Sequence, residues 1–212
     1  MPGRRSKCGA PAVPGRRPRL PSDLITLCIS SILCHACSKQ TTLEGSGIGV
    51  CNNDLHDWTP VFTIDTVAEA VLTQLRDTAT HFASSLVGYV LMPTHLHMLL
   101  GMPRIEHLPQ FMQTFKSLSS RSAKKLLDGD RLLHLQRKGR YHLWMPRYDD
   151  LIVYSERQFK TKLEYIHNNP VKAGLVGTST EWRYSSASAW FGGSEGLIRM
   201  NKDFRWTEDQ AR

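Results

Sequence analysis

Two stretches of the chain carry side chains whose types and spacing could act together on a substrate. The first is His95-Leu96-His97. In a strand, successive side chains point to opposite faces, so the two imidazoles share one face and Leu96 and Met98 the other. Two imidazoles on one face can share a divalent metal ion. The chain holds nine histidines, so such a pair also arises by chance. Taken alone, it reads more plainly as two histidines hydrogen-bonded at a sheet end. The second stretch holds Lys162, Tyr165 and Asn169. In a helix these stand at i−3, i and i+4, on one edge beside a buried stripe of Phe159, Leu163 and Ile166. A phenol, an ammonium and an amide on one edge suit chemistry at a phosphate. The same edge suits an interfacial tyrosine whose hydroxyl meets water. His167 and Asn168 point elsewhere on this geometry.

These side chains need elements to hold them. Gly88 to Met92 reads as a buried strand, broken by Pro93-Thr94, and His95 to Leu100 as a second strand or its continuation. A helix is expected to begin at a Thr66–Glu69 capping box and to run to about His81 through Val67, Ala70, Val71 and Leu75. Pro109 suits the first position of another helix, with Leu108, Phe111, Met112, Phe115, Ser119, Ser122 and Leu126 on one arc. Lys116, Arg121, Lys124 and Lys125 lie off that arc. Asp128 to Arg140 is charged and reads as loop, and residues 143–153 as a turn and a short strand. A last helix is expected from about Glu156, behind a Ser155–Gln158 capping box, to Asn168, stopping before Pro170. No internal repeat is seen.

The first 60 residues are harder to place. Residues 1–20 hold six Arg or Lys and four Pro with little to bury, the pattern of a disordered basic arm. LITLCISSIL at 24–33 is the candidate first strand, and the polar, glycine-bearing residues 38–57 read as loop. The five cysteines, at 8, 28, 34, 37 and 51, include a Cys34–Cys37 pair at CxxC spacing that lacks a second ligand pair, so they read as incidental.

Composition bounds the function. The 212 residues suffice for one well-buried domain with tails, or two small ones. No apolar run reaches the roughly 18 residues of a membrane span. A net charge of +8 and a pI near 9.4 suit a polyanion partner, although a basic surface kept for solubility would look the same.

Four strings, in order, carry a resemblance: GYVLMPTHLHMLL, LWMPRYDDLIVYSERQF, KLEYIHNNPVKAGLV and WRYSSA. Together they resemble the single-tyrosine HUH transposases, IS200-like enzymes, and most closely their REP-associated tyrosine transposase branch. The match covers roughly residues 61–190. It implies an α+β fold with a single antiparallel β-sheet and packed α-helices, ferredoxin-like, with the H-x-H strand central and the Tyr165 helix across that end of the sheet. By position it implies that His95 and His97 hold Mg²⁺ or Mn²⁺, that Tyr165 is the nucleophile, and that Asn169 can supply a third metal ligand. Lys162 is added from helix geometry as a phosphate contact. Arg121, Lys124 and Lys125 would track phosphates, or are simply solvated. The implied activity is nicking and strand transfer on hairpin-bearing single-stranded DNA through a 5′-phosphotyrosine. The implied setting is the bacterial cytoplasm, at the nucleoid, with no membrane. Monomer and homodimer both stay open, because relatives exchange the tyrosine helix.

The organisation expected is therefore a basic arm (1–20), a divergent segment (21–60), the catalytic domain (61–190) and a C-terminal tail (191–212). The N-terminal segment departs from the family, whose first strand is not found cleanly, and a replaced N-terminus would leave the sheet one strand short. Two other readings stand beside the enzyme. One is a decayed or domesticated transposase that binds DNA hairpins without cutting. The other is an unrelated metal hydrolase, with Asp149 or Asp150 as the carboxylate, which would leave the KLEYIHNNPVKAGLV string unexplained.

Overall fold

The computed structural model describes residues 47–202. The arm at 1–20, the strand expected at 24–33, the Cys34–Cys37 pair and residues 203–212 lie outside the described residues. Within them, four strands form one antiparallel sheet in the order β2-β3-β1-β6. These are β1 (Gly47–Asp54), β2 (Ser85–Met92), β3 (His95–Met102) and β6 (Asp149–Val153). The H-x-H strand β3 lies inside the sheet, between β2 and β1.

β1 corrects the reading of residues 38–57 as loop: its second half, GIGVCNND, is an interior strand. Its glycines and terminal polar residues hide the apolar alternation. Ile48 and Val50 face one core while Cys51 faces the other. Bare backbone at Gly49 lets Leu108 lie close against the strand; an added Cβ would meet Leu108 at 3.4 Å. The polar end is occupied rather than solvated, as Asn52 and Asp54 pair with His97 and His95.

Alternation sends each strand's side chains to two layers. On one face Leu86, Tyr89, Leu91, Leu96, Met98 and Leu100 pack with α1 (Asp65–His81) and α2 (Leu108–Leu126). On the other, Val87, Val90, Leu99, Ile48 and Val153 pack with Leu163 and Ile166 of α4 (Glu156–His167). His95 and His97 belong to the α4 face, since they alternate with Leu96 and Met98. The outer edge of β2 is closed by the WRYSSA segment. Leu91 N–H donates to Tyr184 O (2.8 Å), Ser186 N–H to Tyr89 O (3.0 Å), and the Trp182 indole to Leu91 O (3.0 Å). An edge paired in this way offers no ladder to another chain.

Several local expectations are corrected. The Thr66–Glu69 box does not form: the N-cap is Ile64, two residues earlier, without a side-chain cap. Glu69 is instead drawn to Arg183, and Asp65 accepts from the Tyr184 hydroxyl (2.6 Å). On α2 the buried arc ends at Ser119 and Ala123 rather than at Ser122 and Leu126, which is exposed. Ser119 is the turn-facing position because its hydroxyl donates to Phe115 O (2.6 Å) and accepts from the Trp144 indole (2.9 Å). Residues 128–140 are not loop. Asp128 caps a short helix, α3 (Gly129–His134), by accepting from Arg131 N–H (3.2 Å). A hairpin follows, β4 (Gln136–Arg137) and β5 (Arg140–Tyr141), turned by Lys138 and Gly139, both at positive φ. On α4, Ser155 accepts from Gln158 N–H as expected, but Gln158 reaches back to Tyr154 N–H, so the box is only half formed.

The α4 helix lies so close to the sheet that Gly88 has no room for a side chain. An added Cβ would stand 2.7 Å from Leu163 Cδ1 and 3.2 Å from Leu99 Cδ1. Gly88→Ala is therefore expected to destabilise the fold by about 1–3 kcal/mol, and Gly88→Val by more. Urea unfolding followed by circular dichroism checks this; equal midpoints for wild type and Gly88→Ala would show that α4 does not seat there.

Candidate active site

The site forms where the start of β3 meets the end of β1, under the C-terminal half of α4. The strand ladder pairs His97 with Asn52 and His95 with Asp54. The His97 Nδ1–H donates to Asn52 Oδ1. An amide oxygen can only accept, so this bond leaves the lone pair of His97 on Nε2. The Nδ1 of His95 meets the Thr94 hydroxyl at 3.0 Å, a group that can donate or accept and so orients the ring in either tautomer. The two rings lie 4.7 Å apart, nearly perpendicular. Both histidines are buried, and among the described residues neither Nε2 has a hydrogen-bond partner.

Burial also sets their charge. It lowers the pKa of His95 to about 4. Burial, and then the neighbouring His95, hold His97 well below the ordinary histidine value. Both rings are thus neutral near pH 7, with the Nε2 lone pair of His97 available. Two orphaned, neutral nitrogens, each oriented through its other nitrogen, fit a divalent metal site. Among the described residues no cluster of three or more His, Cys, Asp or Glu side chains is placed to hold a metal. Further ligands would have to be of another type, such as an amide, water or phosphate oxygen.

Tyr165 stands on the other side of the pair. Leu163 and Ile166 bury themselves against the sheet, which leaves Tyr165 half-buried at the boundary, its ring centroid 6.2 Å from that of His97. Asn169 begins a short helix, α5 (Asn169–Lys172), and is buried. Its amide nitrogen donates to Tyr165 O (3.1 Å) and Ile166 O (3.2 Å), so its oxygen is the end able to serve as a ligand. Lys162 lies one turn before Tyr165 on α4, partly exposed. Of the possible carboxylates, Asp149 pairs with Asn52 and shares the histidine face, whereas Asp150 pairs with Cys51 on the other.

The basic residues on α2 are not joined to this cluster. Arg121, Lys124 and Lys125 stand in the layer across the sheet, where Arg121 bonds to Ser117 (2.9 Å) and Lys124 lies over the Tyr141 ring. That helix does run toward the histidine end: Lys116 clamps Met145 O and Arg147 O, and Met145 N–H donates to Asp54 O.

Three neighbours of the site escaped the reading of the sequence. Asn52 fell in the stretch read as loop. Lys172, whose ammonium lies 4.8 Å from the centre of the Tyr165 ring, is seven residues past the tyrosine, the next helical repeat of the same edge. Trp58, whose ring meets His95 edge-on at 6.2 Å, carries no local signal. His167 is buried too: its Nε2 bonds to the Ser186 hydroxyl (2.7 Å), tying α4 to the segment that closes β2, and burial lowers its pKa to about 4.

A family model described as "Transposase IS200 like" matches residues 58–169. A Haemophilus influenzae protein, named for the REP-associated tyrosine transposases, is 25% identical over 135 residues, covering 62% of this chain and 74% of the relative. A solved structure of a REP-associated tyrosine transposase bound to a REP hairpin superposes with a TM-score of 0.59. It is 15% identical and covers 81% of this chain and 95% of that one, a likeness of fold.

The three neutral histidines make stability depend on pH in a stated direction. Their folded pKa values lie below the unfolded value near 6.5, so the unfolded chain binds more protons between about 4 and 6.5. Stability is full above about pH 7 and falls as pH drops through that window, by up to about 1.4 kcal/mol per unit for each histidine. Calorimetric unfolding at stepped pH should show a falling melting temperature that begins below about pH 6.5. A flat profile down to the carboxylate range would contradict the burial of these rings.

Proposed function

The chain belongs to the IS200-like transposase family, and from that premise we propose that it nicks and rejoins single-stranded DNA through Tyr165. The observation that carries the proposal is the meeting of the Tyr165 ring with His97, beside two buried imidazoles whose Nε2 atoms find no partner among the described residues. His95 and His97, with the Asn169 amide oxygen, would hold a divalent ion, Mg²⁺ or Mn²⁺. When bound, such an ion would polarise the scissile phosphate and stabilise charge that develops there.

The chain's own residues do the rest. Asn52 keeps the His97 imidazole in the tautomer that leaves its Nε2 lone pair free, and Thr94 holds the orientation of the His95 ring. The packing of Leu163 and Ile166 holds the tyrosine at the sheet boundary, so little orientation has to be found during the reaction. Tyr165 Oη attacks phosphorus in line: a bond forms from Oη to phosphorus, the bond from phosphorus to O3′ breaks, the phenol proton leaves to solvent and the departing O3′ takes one up. The products are a 5′-phosphotyrosine and a free 3′-OH. Attack by a 3′-OH on the phosphotyrosine reverses these bond changes and rejoins DNA without an external energy source. Lys172 and Lys162 set positive charge along the tyrosine edge, where a phosphate would arrive.

The hairpin in the superposed structure belongs to that protein. For this chain, hairpin-bearing single-stranded DNA is the substrate class proposed, with Arg121, Lys124 and Lys125 as contacts for a strand that continues past the catalytic end of α2. The basic net charge supports a DNA partner at the nucleoid.

An adduct assay tests the reading. Purified protein is incubated with labelled single-stranded hairpin DNA and Mn²⁺, then run on a denaturing gel. A protein-linked band is expected, abolished by Tyr165→Phe and by chelator, and reduced at least a hundredfold by His97→Ala. Cutting that survives Tyr165→Phe would indicate attack by water and reinstate the metal-hydrolase reading, with Asp149 as its carboxylate. Hairpin binding with no band under any metal would favour the remnant that binds without cutting.

A further inference from the structure

Trp58 has no part in the chemistry above, yet it stands at the site's open end. The indole is 39% exposed although its edge lies against the His95 ring, 6.2 Å between centroids. The backbone that presents it is unusual. Asp57 and Trp58 both occupy the left-handed region, at φ 54° and 53°, which side chains other than glycine seldom adopt. The loop is nevertheless held on both sides. Leu55 N–H donates to Thr94 O (2.9 Å), His56 N–H to Leu143 O (2.9 Å), and Trp58 N–H to Leu55 O (3.2 Å). His56 is buried and stacks on His142. Core formation would turn the indole inward; this loop instead fixes it outward beside the metal-binding histidines. A rigid, solvent-facing aromatic next to a phosphate site suits one ligand class above others, a nucleobase, whose flat face can stack on it.

The geometry also says which base. Trp58 meets His95 (6.2 Å between centroids) and Tyr165 meets His97 (6.2 Å), while the two imidazoles are 4.7 Å apart. The indole thus adjoins one histidine and the proposed nucleophile the other. In an in-line displacement the leaving oxygen departs on the side opposite the nucleophile. A phosphate seated over the histidines and attacked from the Tyr165 end therefore releases its O3′ toward Trp58. We propose that Trp58 is the stacking platform for the base immediately 5′ of the scissile phosphate, the nucleotide that leaves with the 3′-OH. Held there, that nucleotide stays aligned for the rejoining attack. This assignment rests on the tyrosine chemistry proposed above; the stacking itself does not.

Two experiments separate the two. The first needs no cutting: affinity of the full chain for a dT 15-mer and for an abasic 15-mer, by fluorescence anisotropy in EDTA. Wild type should prefer dT. Trp58→Ala should lose roughly tenfold of its affinity for dT and none for the abasic strand, while Trp58→Phe keeps most of the preference. Equal weakening of both strands by Trp58→Ala, or a fall in Mn²⁺ affinity read by calorimetry, would overturn the platform and leave Trp58 as a support for His95. The second uses the hairpin substrate after its cut site is mapped, with one abasic nucleotide on either side of the scissile bond. For wild type, the 5′ abasic site should slow adduct formation by roughly tenfold and the 3′ one should not, and Trp58→Ala should be indifferent to the 5′ change. This arm requires no variant to fold for its first result. A penalty at the 3′ position alone would overturn the assignment. Absence of any adduct alongside a Trp58-dependent dT preference would sink the tyrosine chemistry while supporting the platform.

Discussion

The seating of α4 on the bare backbone of Gly88 is the contact on which the rest of the site depends. Leu163 and Ile166 fill the space that any side chain at 88 would occupy. Because they are buried, the helix has only one rotation about its axis that satisfies its apolar stripe. That rotation brings Tyr165 to the edge, with its ring against His97. A helix held a side chain's width further out would keep its hydrophobic face and lose the tyrosine–histidine contact. The same helix is pinned at its C-terminal end by the His167–Ser186 bond, and Ser186 in turn accepts from Tyr89 N–H on the edge of β2 (2.9 Å). The segment that caps the sheet edge therefore also anchors the helix that carries Tyr165.

Opposing tendencies meet at the histidine pair. Burial of two imidazoles without partners for their Nε2 atoms is unfavourable for the fold, since buried polar groups ordinarily find hydrogen bonds. Asn52 on β1 accepts the hydrogen bond that orients one ring, and the Thr94 hydroxyl bonds to the other. What remains unsatisfied among the described residues is the Nε2 of each ring, and the His97 ring is the one that meets Tyr165. A fold optimised for stability alone would not leave two such atoms side by side, and a ligand with affinity for imidazole nitrogen relieves both at once. The desolvation that lowers their proton affinity also keeps them competent as ligands over the neutral range.

Around this centre the surroundings are asymmetric. The α4 side contributes cations, Lys162 and Lys172, beside the phenol, whereas the opposite side contributes an aromatic ring on a left-handed turn. α2 and the 128–141 segment form a separate basic surface across the sheet, joined to the histidine end through the Lys116 clamp on Met145 and Arg147. Positive charge is therefore present on both layers of the sheet.

The sequence by itself determined the elements whose period is strong and whose chemistry is local. The H-x-H alternation, the stripe of Leu163 and Ile166 with Tyr165 beside it, and the stop before Pro170 were legible because each follows from spacing along one element. The α+β class and the family were legible from the four ordered strings. β1 was not. Its glycines and its NND end carry no clear strand period, and it is a strand because β3 and β6 flank it on both sides. The Thr66–Glu69 cap failed for the same kind of reason, as Asp65 and Glu69 found partners at Arg183 and Tyr184, more than a hundred residues away. Only the tertiary structure decided which residues complete the histidine site: Asn52, Thr94 and Trp58 on one side, Lys172 on the other. Their roles come from distance in space. A one-dimensional pattern encodes what a side chain can do and which face it takes, while its partner is chosen only when the sheet closes.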